Sequence, residues 1–352
     1  MKHVNKYGQM IPPKHQPNQT QRPITATLLD KMVDGREFES LLGYQYQNLN
    51  PTSELKKSIL EINTIRKRPI VCYVANVVKP SASISIEDSD DLPFNEMISS
   101  LPAECKEIDI VLVTPGGFAH QVAKFVNKLR PRFEKISFIL LNKSMSAGTI
   151  FIMSGDEIIM TNQSQIGPVD PQVRTKNGEF VPAQSILTLI EDIRIRGDEA
   201  IKKGVQPSWT DLQLLRSIDP KEIGNALNAS NYSIQLVEEY LHNFKFKNWT
   251  THSDGVTLVT PEERKERANE IAKMLCDHSK WKNHGHAITR EAAWEVCKLK
   301  ITYAENIAGL DRAMRRMWAL FYWVFENTQI AKIFISENYC IMRASAQIGD
   351  KK

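Results

Sequence analysis

The stretch IDIVLVTPGGFAHQVAKFVNKLRPRFEKISFILLNKSMSAGTIFIMSGDEIIMT, residues 108–161, decides the architecture. Short apolar runs at 108–114, 136–142 and 156–161 alternate with helical patterns near 118–130 and 147–154. Runs of this length that are apolar throughout read as strands buried on both faces. Strands alternating with helices imply a parallel sheet covered by helices, with sites at the carboxyl ends of the strands. Working outward, PIVCYVANVV (69–78) reads as an earlier strand and 91–101 as a helix. Residues 25–66 read as helical, with a Thr52/Ser53 cap opening the second half. Beyond residue 184 the pattern is mostly helical, at 184–203, 209–216, 220–245, 261–278, 289–298 and 310–328, before an edge strand at 331–343.

The 352 residues, 42% of them hydrophobic, are enough to bury a full core. A formal charge of +4 from 45 basic and 41 acidic residues, spread evenly, gives no nucleic-acid footprint. The five cysteines are widely spaced and form no CxxC pair, which points to a reducing, cytoplasmic setting without a disulfide framework. No signal-peptide core and no apolar run of about 18 residues is present, so the expectation is a chain neither secreted nor membrane-spanning. Residues 1–23, rich in Pro, Gln, Asn and Lys, read as a flexible arm.

Two motifs fall at strand ends. Thr114-Pro115-Gly116-Gly117 follows the strand IDIVLVT and precedes a helix. Paired glycines there permit a tight turn whose N–H groups can stabilise a developing oxyanion, although a plain strand-to-helix turn has the same look. Lys143-Ser144-Met145-Ser146-Ala147-Gly148-Thr149 follows the next strand and opens an apolar helix. A serine at such a bend can be a nucleophile with small neighbours making room for a substrate carbonyl, or simply a helix cap. Their order puts the donor turn and the serine on neighbouring strand ends. Of the two serines, Ser146 is the expected nucleophile because the Ala-Gly pair follows it directly. Bulk at Gly117 is expected to stop turnover while leaving the fold largely intact.

The run VTPGG, then LLNKSMSAGTIFIMSGDEIIMTNQSQIGPVDPQ, then VPAQSIL, closely resembles the serine dehydrogenase proteinase branch of the Clp/signal-peptide-peptidase-A class of serine proteases. The later RANEIAKMLCDHSKWKNHGHAITREAAWEV is similar to that branch's closing segment, so the resemblance covers roughly residues 69–300. It implies an α/β, crotonase/Clp-like fold of stacked ββα units with a helical C-terminal extension, assembled into homo-oligomers. The division expected is an arm (1–23), a protease domain with N-terminal helices (24–300), and a C-terminal helix and strand (301–352) making the oligomer contact. By matching positions, Ser146 takes the nucleophile role, and the N–H groups of Gly116, Gly117 and Ala147 form the oxyanion hole.

The base is the open question. No histidine lies between His120 and His242, where Clp-type peptidases place theirs. Signal-peptide-peptidase-A relatives use a lysine some tens of residues after the serine, and Lys202 and Lys203 fall in that window, with Lys176 nearer and His286 an alternative. A solvated helix end is the ordinary role of such a lysine pair. Cys276, His278, His284, His286 and Cys297 match no common zinc spacing, so no metal is expected. The aromatic run at 317–325 is too short to span a membrane and reads as a core or subunit-interface helix. With no GxxxxGK[ST] motif and no cofactor implied, the function expected is ATP-independent peptide-bond hydrolysis on peptides or unfolded protein segments. The competing class is an inactive crotonase-fold assembly or binding protein.

Overall fold

In the computed structural model, residues 27–79, 84–252, 254–281, 283 and 285–344 are described. The arm expected at 1–23 lies outside them. A single turn, α1 (Leu28–Lys31), leads through two 3₁₀ turns to α2 (Pro51–Arg66), so residues 32–50 are not α-helical. The side-chain oxygen of Asn50, not Thr52 or Ser53, caps α2 by accepting the Ser53 N–H at 3.1 Å, with Pro51 in the first turn. Lys67 ends it at φ 57.

The alternating series then runs as the pattern requires: β1 (Ile70–Ala75), α3 (Asp91–Ser99), β2 (Glu107–Thr114), α4 (Ala119–Leu129), β3 (Lys135–Ser144), α5 (Ala147–Met153), β4 (Glu157–Met160) and the short β5 (Gln165–Ile166). A hairpin of β6 (Gln172–Arg174) and β7 (Phe180–Pro182) introduces a helical region. That region comprises α6 (Ala183–Lys202), α7 (Trp209–Ser217), α8 (Pro220–Tyr240), α9 (Pro261–Leu275), α10 (His278–Trp281) and α11 (Arg290–Glu295). The chain returns to the sheet with β8 (Thr302–Tyr303), α12 (Leu310–Asn327), β9 (Ile330–Ser336) and β10 (Cys340–Ala344).

The strands form one sheet in the order β10-β9-β1-β2-β3-β4-β8, with β5 beside β3. From β1 to β8 the neighbours are parallel, while β9 and β10 add an antiparallel edge. Both faces are buried, as near-continuous apolar strands demand. On one face Val71, Tyr73, Ile110 and Leu112 meet Phe94, Phe125 and Phe151 of α3, α4 and α5. On the other, Cys72, Val74, Val111 and Ile139 meet α2 and α12.

The C-terminal segment departs from expectation in two ways. Residues 331–343 form a hairpin, and its inner strand β9 lies between β10 and β1 rather than alone at the edge. Phe321, Trp323 and Phe325 of α12 are buried against the chain's own sheet and α2, so covering these aromatics no longer requires a second subunit.

Candidate active site

The glycine turn at the end of β2 is held from two sides. Gly116 and Gly117 have φ 104 and 146, values that L side chains rarely adopt. Ile86 pairs with the turn: its N–H donates to the Gly116 carbonyl at 2.7 Å, and its carbonyl accepts the Phe118 N–H at 2.9 Å. A Cβ on Gly117 would stand 2.2 Å from the Ile86 oxygen and 2.5 Å from its nitrogen. This corrects the expectation that bulk at Gly117 leaves the fold intact, since the clash is with backbone. A Cβ on Gly116 would meet the Met145 carbonyl at 2.7 Å and the Ser146 Cβ at 2.8 Å, so the two motifs are in direct contact.

The Gly116 N–H is already occupied, donating to Thr114 Oγ1 at 3.1 Å. Among the described residues the N–H groups of Gly117 and Ala147 have no acceptor. Of the three donors expected, these two are therefore the ones not already engaged among the described residues.

Ser146 sits between β3 and α5 at φ 51, ψ −116, and its side chain makes no capping bond. A non-glycine residue held there stores on the order of 1–3 kcal/mol, a cost found at functional turns. The helix-cap reading of Ser146 is thus set aside. Ser146 as a residue is half-buried, and its hydroxyl is without a hydrogen-bond partner among the described residues. Ser144, by contrast, is the fully buried last residue of β3, in register with Thr114 and Ile166. Gly148 is required because a Cβ there would lie 2.5 Å from Thr114 Cγ2 and 2.7 Å from Ser144 Oγ.

Thr149 carries a role that sequence reading missed. Fully buried one turn into α5, its Oγ1 lies 3.0 Å from the Ser144 carbonyl and 2.8 Å from the Gly167 carbonyl, and it accepts the Gly167 N–H at 3.2 Å. It thereby fastens the loop after β5 to the nucleophile helix. Ile166 exchanges hydrogen bonds of 3.0 and 2.8 Å with Ile288, which brings the closing segment alongside that loop. Asp170, 3% exposed, lies in the same loop.

Among the described residues none of the candidate bases hydrogen-bonds to Ser146. Lys202 and Lys203 are exposed at the end of the 20-residue α6, whose length is about 30 Å at about 1.5 Å per residue. Its other end, Ala183, is the one tied to the loop, donating to the Pro171 carbonyl at 2.8 Å. Lys203 faces Glu199 at 3.9 Å. Lys176 reaches the Ser217 carbonyl at 2.9 Å. His286, two residues from Ile288, is exposed with its ring 5.2 Å from that of Trp281. Of the five cysteines and histidines weighed against a zinc spacing, His284 lies outside the described residues, and among those described no cluster of three or more His, Cys, Asp or Glu side chains is placed to hold a metal.

Burial pushes Lys245 down to about 8, against the opposing pull of Glu157 and Asp156. It stands at the wrong end of the sheet for catalysis. Glu157 is in register with Ser137, and Ser137 and Ser144 are about 23 Å apart along β3 at about 3.3 Å per residue. Lys245 instead bears on stability. Its folded value lies below that of an unfolded lysine, about 10.4, so between about 8 and that value the unfolded chain binds more protons and stability rises with pH. Lys245→Met is expected to stabilise the protein at pH 7 by on the order of 1–3 kcal/mol, with the gain shrinking toward pH 10. Thermal unfolding of both proteins at the two pH values checks this, and an equal difference at both would refute it.

The fold is thus a mostly parallel α/β sheet with a glycine turn and a strained serine on adjacent strand ends. Residues 56–201 are similar to the family whose model is described as ClpP-like SDH-type serine proteinase. An uncharacterized protein of Methanocaldococcus jannaschii is 36% identical over 238 residues, covering 68% of this chain and 64% of the relative. A second from the same organism is 27% identical over 213 residues, covering 60% and 59%. The matches thus span about three fifths of the length of both relatives. Among solved structures, a membrane-bound stomatin-specific protease in complex with a substrate peptide is 15% identical with a TM-score of 0.36, over 62% of this chain and 70% of that one. Among the described residues no helix is long and apolar enough to cross a membrane.

Proposed function

We propose that this protein is an ATP-independent serine peptidase. Ser146 attacks the scissile carbonyl of a peptide or unfolded protein segment, the N–H groups of Gly117 and Ala147 receive the oxyanion, and water releases the acyl group from Ser146. The observation that carries this reading is the strained, uncapped Ser146 beside a glycine turn that presents a free N–H. Five free cysteines agree with a cytoplasmic setting. Labelling by a fluorophosphonate, with Ser146→Ala as control, tests the proposal. The unpartnered Ser146 hydroxyl favours the second reading, an inactive assembly or binding protein, which a lack of labelling would support.

Assembly belongs to the proposal, with its supporting surface moved from α12 to α6 and α7. Leu189, Ile195, Ile201, Trp209, Leu212 and Leu215 are exposed there, and these are the side chains a second copy would cover. Assembly is also proposed to supply the base, with Lys202 or Lys203 serving the Ser146 of a neighbouring copy. The Lys202→Ala/Lys203→Ala double variant and Ser146→Ala are each expected to be inactive, and mixing them, with subunit exchange allowed, is expected to restore about a quarter of parental activity by statistical pairing. Full activity in the lysine variant alone would remove both lysines from the mechanism and return attention to His286.

A further inference from the structure

We infer that Lys332, on β9, is a positioning residue for the glycine turn, acting through Asp90, Glu87 and Ile86; the inference rests on the reading of that turn as the oxyanion site. Lys332 is 1% exposed, an expensive place for an ammonium unless it is fully paired. Its Nζ lies 2.8 Å from both carboxylate oxygens of Asp90 and 3.2 Å from Glu87 Oε1. Asp90, itself fully buried, also accepts the Tyr73 hydroxyl at 2.9 Å, Arg343 Nη1 at 3.0 Å and the Glu87 N–H at 3.0 Å. The residue before Glu87 is Ile86, whose backbone brackets the turn through Gly116 and Phe118.

The same segment is tied to the helix that follows the turn. Lys124 of α4 reaches Asp88 at 2.7 Å, and Gln121 reaches Asp91 at 3.1 Å. Residues 86–91 therefore form a strut between the C-terminal hairpin and the glycine turn, and Lys332 is its buried foot. A buried ion pair gives little net stability over apolar residues of the same size, but it admits few geometries. That property suits a strut that must hold the Gly117 N–H at a fixed place, because a donor stabilises an oxyanion only within hydrogen-bond distance of it. Lys332 lies outside the stretch 56–201 that matches the protease family, so the C-terminal hairpin completes a turn the motif does not itself hold.

The test uses the full chain with Lys332→Met combined with Asp90→Asn, which removes both charges without stranding a buried carboxylate. Two quantities are read: amide hydrogen exchange at Ile86 and Phe118, and the rate of fluorophosphonate labelling. Exchange at both amides is expected to quicken at least about tenfold while Val111 and Ile139 in the sheet keep their protection, and labelling is expected to slow by about 10²-fold. Unchanged exchange at Ile86 and Phe118 in the folded variant overturns the strut. Faster exchange with unchanged labelling overturns the catalytic positioning. Faster exchange in a protein whose parent does not label supports the strut and removes the peptidase reading. Should the double variant fail to fold, Glu87→Gln at the more exposed end of the pair is expected to move both quantities in the same directions by less, and no movement of either would be equally decisive.

Discussion

Ser146→Ala is expected to eliminate fluorophosphonate labelling and to lower peptide hydrolysis by on the order of 10⁶, the loss seen when the nucleophile of a serine protease is removed. The fold should survive. Alanine adopts the φ 51, ψ −116 backbone at the same cost as serine, and the lost hydroxyl has no partner among the described residues. Ser144→Ala is the matched control, because that hydroxyl is fully buried behind Gly148 and beyond the reach of a substrate. It should retain labelling, with stability changed by about 1 kcal/mol at most. Equal labelling of the parent and Ser146→Ala would refute the assignment, and labelling lost only in Ser144→Ala would transfer it.

Gly117→Ala comes second in expected effect, and its consequence is both structural and chemical. The new Cβ would meet backbone atoms of Ile86 at 2.2 and 2.5 Å, which cannot rotate away, so the bridge between Ile86 and the turn must open. Two hydrogen bonds go with it, Ile86 N–H to Gly116 and Phe118 N–H to Ile86. Together with the strain of an L residue at φ 146, the cost should be about 2–4 kcal/mol. Displacing the Gly117 donor should also reduce the rate by about 10²–10³. Denaturant unfolding and labelling, measured on the same protein, separate the two effects. Parental stability in Gly117→Ala would show that Ile86 does not pack on the turn.

The parallel sheet was legible because its strands are apolar along their whole length and separated by helical spacing, a pattern with few alternative folds. The motif positions were legible for a related reason: glycine pairs and small-residue bends at strand ends are local, and the chain order alone places them side by side. Less was visible at the C-terminus. The aromatics of 317–325 call for cover, but their spacing cannot say whether that cover is another subunit or a sheet assembled from residues 70–160. Nor does a lysine in AKIFIS announce itself, since the side chains that pair Lys332 come from residues more than two hundred positions earlier in the chain.

Local chemistry in the sequence was thus sufficient to determine the βαβ order, the glycine turn and the serine bend, because each depends on neighbours within a few residues. Only the tertiary structure decided which N–H groups of the turn are free, that Ser144 is fully buried, and that Thr149 and Ile86 hold the two motifs. These depend on backbone pairing and close contact between segments remote in the chain, such as Ile86 with Gly117 and Ile166 with Ile288. Contacts of that kind follow from the packing of the whole sheet and leave no periodic or compositional trace in the segments that make them.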